Sequence, residues 1–169
     1  MQSSVTIENG WALYAHPFFV QRLTDLLEEV KRLAVKDPHG FHRHPHYEFF
    51  DAVTNNILVT VPSDPAHKNY LIGGTLGRTH QHWRRVKKQG LPNRYRLFFL
   101  FRSTAPKTII YAWLNDETCI RREGDRRDVY KVFQRMLESG RIPSGFTELL
   151  AASEGLTMSA ATGSDEETL

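Results

Sequence analysis

A chain of 169 residues, 40% hydrophobic and 11% aromatic, suits one domain with a real core and excludes a disordered polymer. No apolar run is long enough to span a membrane, the opening MQSSVTIENGWALYAHP lacks the basic and apolar parts of a signal peptide, and Cys119 is alone, so the expectation is a cytoplasmic protein without a disulfide framework. The net charge of +3 hides an uneven spread: residues 78–131 carry fourteen Lys/Arg against five Asp/Glu, the remainder eight against fourteen, which fits either a phosphate-rich partner or a solvated basic surface.

In chain order, Pro17 suits a first helical turn, and Phe19, Leu23, Leu26, Leu27, Val30 and Leu33 recur at helical spacing until Asp37, Pro38 and Gly40 stop the helix. Trp11 and Tyr14, just before it, are expected to pack that helix on a sheet. A second helix is predicted from Pro45, with an ambiguous end because NILVTV also reads as a strand. LIGGTLG has neither phosphate-loop spacing nor a lysine-serine pair and reads as a flexible loop. HWRRVKK, RYRLFFLF and TIIYAWL, separated by GLPN and STAPK, predict three strands of an antiparallel meander. NDETCIRREGDRR is a long loop with room for a short edge strand. Val129, Val132, Phe133, Met136 and Leu137 mark a further helix closed by Gly140, and PSGFTELLAA a short last one. Residues from Gly155 onward are small, polar and acidic, which predicts a disordered tail over 155–169 after a single domain over 7–152.

The stretch NRYRLFFLFRS, Asn93 to Ser103, keeps arginines in an apolar strand. Alternation puts Tyr95, Leu97, Phe99 and Phe101 on a helix-facing side and Arg94, Arg96, Phe98, Leu100 and Arg102 on the other, which is expected to be partly open. On the preceding strand Arg85 and Lys87 share a face, so register permitting they converge with Arg96 on one patch. Arginine offers a planar fork to phosphate oxygens. The competing readings are an ion pair of Arg96 with Asp116 or Glu117, and plain exposure.

WRRVKKQGLPNRYRLFFLF, IIYAWLNDE and IRREGDRRDVYKVFQRML, in that order, together with NGWALYAHPFF, resemble the YhaV-type toxins within the RelE-like toxin superfamily. The resemblance runs from about Asn9 to Phe146 and weakens through HGFHRHPHYEFF and the glycine loop. It implies an α+β, RelE-like fold: N-terminal helices on a small antiparallel sheet, then a C-terminal helix. It also implies an endoribonuclease of a bacterial toxin–antitoxin system that cleaves RNA, with messenger RNA as the expected substrate, without metal or cofactor. The implied partners are a PrlF-like antitoxin with a swapped-hairpin DNA-binding domain, RNA, the ribosome, and promoter DNA mainly through the antitoxin. On the family's pattern the catalytic candidates are Arg96, Arg121, Arg122, Tyr130 and Lys87, and the RNA-binding candidates Arg84, Arg85, Lys88 and Arg94. Asn115, Asp116 and Glu117 match its NDE and are expected to order the following loop. A non-catalytic RNA-binding or antitoxin-binding module is the alternative.

Metal-free cleavage uses the RNA 2′-hydroxyl as nucleophile, so the protein must align it, hold charge on the phosphate and move protons. Arginine suits the second task and is a poor base. The histidines 39, 42, 44 and 46 lack a standard ligand framework and read as a polar loop. His80 and His82 read as surface or RNA-contacting residues, and Trp83, Tyr111 and Trp113 as core.

Overall fold

The computed structural model describes residues 5–157. The elements run β1 Ile7–Glu8, β2 Trp11–Ala15, α1 Pro17–Lys36, α2 Pro45–Asn55, a π-helical turn Asn56–Thr60, α3 Val61–Ser63, β3 Arg84–Val86, β4 Leu97–Arg102, β5 Thr108–Leu114, α4 Val129–Glu138, α5 Phe146–Ala151 and β6 Glu154–Gly155. α1 starts where expected: His16 caps it by accepting the Phe18 N–H on Nδ1, and Pro17 occupies the first turn. The ambiguous NILVTV is helical: its backbone runs on from α2 as the π turn and α3. NDETCIRREGDRR holds a short 3₁₀ turn, Glu117–Cys119, in place of an edge strand.

β3, β4 and β5 form the predicted antiparallel meander, with Arg85 opposite Phe98 and Val86 opposite Leu97. The N-terminal strand β2 is not predicted by the sequence pattern. β2 adds to β5 in parallel, Leu13 opposite Ile109, giving the sheet order β1-β2-β5-β4-β3. β6 pairs with β2 through Tyr14 and Gly155. The expected disordered tail therefore starts inside a strand, and from residue 158 it lies outside the described residues.

The two faces of the sheet carry separate cores. α1, α2 and the π turn cover Leu97, Phe99, Ile109 and Tyr111. α4 and α5 cover Phe98, Leu100, Ile110 and Trp113. This corrects the expectation of a partly open second face. α4 is apolar at Tyr130, Phe133 and Leu137, spaced for one helical side. Phe133 stacks on Phe98 at 4.0 Å and on Trp113 at 5.7 Å, and the Tyr130 ring meets Phe98 edge-on. Such contacts fix the helix on the sheet and thereby aim Tyr130 at the start of β4. Trp83, Tyr111 and Trp113 are buried, as their strand spacing suggests.

Candidate active site

Arg96 immediately precedes β4 and is 4% exposed. Its main-chain N–H donates to Asn115 Oδ1 at 2.8 Å. Its Nε donates to the Tyr130 hydroxyl at 3.0 Å, and its Nη1 to the carbonyls of Asn93 and Tyr95. Arg85, on the same face of the neighbouring strand, donates Nε to the same hydroxyl at 2.9 Å and Nη1 to the Asn69 carbonyl. One phenol oxygen thus accepts from two guanidinium groups, and its own O–H remains to donate.

Arg121 closes the third side. Its guanidinium carbon lies 5.1 Å from the Tyr130 ring centre, and its Nη1 donates to Asp128 at 2.8 Å. Asp128, 2% exposed, is the N-cap of α4. It accepts from the main-chain N–H groups of Tyr130 and Arg122 as well as from Arg121. The Asp128 carboxylate raises the Arg121 guanidinium above its ordinary pKa. The cluster holds three guanidinium groups, and Asp128 is its one carboxylate partner among the described residues. A buried excess of positive charge is costly unless an anion joins it. Arg85 and Arg96 are each held through Nε and Nη1, and their Nη2 groups donate to no protein atom among the described residues, so each presents one edge of its fork.

The structure thus brings together four of the expected residues, Arg85, Arg96, Arg121 and Tyr130. The competing ion pair of Arg96 with Asp116 or Glu117 is not formed. Arg122 is exposed and joins the cluster through its main chain. Lys87 and Lys88 are exposed just beyond β3, and Arg94 is exposed two residues before Arg96. Arg84 points to the other face, donating to the Gln81, His82 and Trp83 carbonyls beside the Phe101 ring.

Asn115 is fully buried and bridges two segments: it accepts from Arg96 and donates to the Arg94 and Cys119 carbonyls. Asp116 caps the Glu117–Cys119 turn. Burial raises its carboxyl, but hydrogen bonds from Thr118 outweigh this and leave it below the ordinary value. Glu117 is exposed in the turn itself. His44 caps α2, His46 meets Glu29, and His80 and His82 fasten the Ser144 loop. Among the described residues no three His, Cys, Asp or Glu side chains converge.

Sequence reasoning missed Asp128, which a search for an N-cap before Val129 would have found. It also missed Arg22 of α1, whose Nε and Nη2 both donate to the Asn115 carbonyl, at 3.1 and 2.9 Å. That long-range contact leaves no local signal.

Residues 13–154 match a family model described as a toxin with endonuclease activity, of toxin–antitoxin system. Toxin YhaV of Escherichia coli O6:H1 is 39% identical over 151 residues, covering 86% of this chain and 94% of the relative. Ribonuclease toxin YhaV of Escherichia coli strain K12 shows the same identity and coverage. No solved structure matches the chain significantly. The match spans Arg85 on β3, Arg96 just before β4, the loop of Arg121 and the helix of Tyr130: the chain belongs to the YhaV family of endonuclease toxins, within the RelE-like toxin superfamily.

Proposed function

We propose that this protein is a cytoplasmic endoribonuclease toxin that cleaves messenger RNA at the Arg85–Arg96–Arg121–Tyr130 cluster. The observation that carries this reading is the Tyr130 hydroxyl held between Arg85 and Arg96 at 2.9 and 3.0 Å. The RNA 2′-oxygen attacks the adjacent phosphorus as its proton leaves. The bond from phosphorus to the 5′-oxygen breaks, and that oxygen takes up a proton. The free edges of Arg85 and Arg96, with Arg121, hold the charge that builds on the phosphate. Tyr130 has the one phenol proton in the cluster and sits where it can exchange it with a reacting oxygen. Lys87, Lys88, Arg94 and Arg122 around the cluster dock the RNA backbone. No step needs a metal ion.

The partner proposed for this toxin is a PrlF-like antitoxin that neutralises it and carries the complex to promoter DNA through a swapped-hairpin domain. The family description as part of a toxin–antitoxin system supports a partner of this class. Messenger RNA on the ribosome is the proposed setting.

The test is cleavage of a defined RNA by the purified protein, with and without chelator, ribosomes and antitoxin. The expected products end in a 2′,3′-cyclic phosphate and a 5′-hydroxyl, and a 2′-deoxy substitution at the scissile nucleotide should block the reaction. Cleavage of that deoxy substrate, or its loss with chelator, would overturn the mechanism.

A further inference from the structure

A small polar cavity of about 120 Å³ lies beside the cluster, lined among others by Asp64, His67, Asn69, Tyr70 and Gln89. Asn69 joins the two: it lines the cavity, and its carbonyl accepts from Arg85 at 2.9 Å. The volume is well below that of a pocket for a whole small molecule. It leaves room for the polar edge of one planar group.

Three features mark its wall. Tyr70 is 3% exposed, yet its hydroxyl has only contacts of 3.4 to 3.5 Å, to Thr60 and Gln89, at the limit of hydrogen bonding. Lys88 and Gln89 both adopt positive φ, 72° and 57°, which strains non-glycine residues. That strained turn brings Gln89 to the cavity wall. The third feature is hydrogen-bonding capacity left open to solvent on the exposed Asp64, His67 and Asn69. His67 Nδ1 accepts the Asn69 N–H, so the neutral ring carries its proton on Nε2 and offers a donor. The Asp64 carboxylate and the Asn69 side chain make no hydrogen bond among the described residues.

Donors and a carboxylate acceptor on one small wall match the edge of a nucleobase, which presents both kinds of group. A carboxylate accepts from the exocyclic amino group of adenine, cytosine or guanine, whereas the one edge donor of uracil, N3–H, is flanked by two carbonyl oxygens that the carboxylate meets unfavourably. We propose that this cavity binds the base next to the scissile phosphate and selects adenine, cytosine or guanine over uracil, with Asp64 accepting from the amino group. The proposal rests on the reading of this protein as RNA-binding. The path from cavity to Asn69 to Arg85 to Tyr130 places base recognition one residue from the phosphate site.

The test uses short 2′-O-methyl oligonucleotides, which cannot be cleaved, identical except for A, C, G or U at one position, scanned along the oligonucleotide. Binding is read by fluorescence anisotropy. Wild type should bind uracil about tenfold more weakly at one position. Asp64→Asn, which swaps an acceptor for an amide on an exposed side chain, should erase that difference while leaving overall affinity within a few-fold. Asn69→Ala should weaken it. Equal binding of all four bases at every position, or unchanged discrimination in Asp64→Asn, would overturn the cavity's role. Cleavage of the matching 2′-hydroxyl RNAs is measured separately, so failure of the ribonuclease reading is distinct from failure of base selection.

Discussion

Asn115 holds Arg96 by the main chain, its Oδ1 accepting the arginine N–H at 2.8 Å from a fully buried position. The same amide group ties the Arg94 and Cys119 carbonyls. Asn115→Ala would leave buried polar groups unpaired at the base of the cluster. The expected cost is about 2–3 kcal/mol of stability, read from the urea midpoint, together with lower single-turnover cleavage. An unchanged midpoint would show that water replaces the side chain.

Tyr130→Phe keeps the ring that packs on Phe98 and faces Arg121, and removes the oxygen shared by Arg85 and Arg96. Cleavage at saturating RNA should fall at least about tenfold, the low end for losing a proton-transfer group. Full activity in a folded Tyr130→Phe protein would remove the hydroxyl from the chemistry.

Arg96→Ala should lose both activity and stability, because the side chain is buried and also satisfies the Asn93 and Tyr95 carbonyls. The loss of cleavage should be at least about tenfold. Arg96→Lys keeps the charge without the fork and should recover only part of it. Circular dichroism with cleavage at saturating RNA separates the two effects: a folded Arg96→Ala protein with wild-type turnover would place Arg96 outside the reaction.

Much of this site was legible because it lies on local patterns. The arginines of NRYRLFFLFRS break strand alternation, and that anomaly led to Arg96. The helix of Tyr130 was legible from Val129, Phe133 and Leu137. What escaped depends on contacts between distant segments. β2 is only five residues long and pairs with a strand far along the chain, so period alone could not reveal it. Arg22 reads as a polar position of an amphipathic helix, and only the fold brings it to Asn115. The second face, mixing arginines with Phe98 and Leu100, reads as partly open, yet those two apolar residues are enough to seat α4 and α5.

His16 makes stability depend on pH. Burial lowers its pKa, so the folded state favours the neutral ring that accepts from Phe18. Its contribution is complete above the unfolded value near 6.5 and is lost as pH falls through the lower folded value. Thermal unfolding should therefore shift to lower temperature on going from pH 7 to pH 5. His16→Asn, a cap that does not titrate there, should flatten that dependence. An equal slope in both proteins would assign the effect to other groups.

The parallel pairing of β2 with β5 also sets a clock on synthesis. Leu13 and Ile109 are neighbours in the sheet but about a hundred residues apart in the chain, a separation translation crosses in roughly 5–20 s. Tyr130 and Asp128 emerge later still, after Arg85 and Arg96 are already outside the ribosome. A nascent chain is therefore expected to lack nuclease activity until its last third has been made. Chains stalled after residue 114 should show no cleavage, whereas released full-length chains should; active stalled chains would mean the arginines need neither Tyr130 nor Asp128.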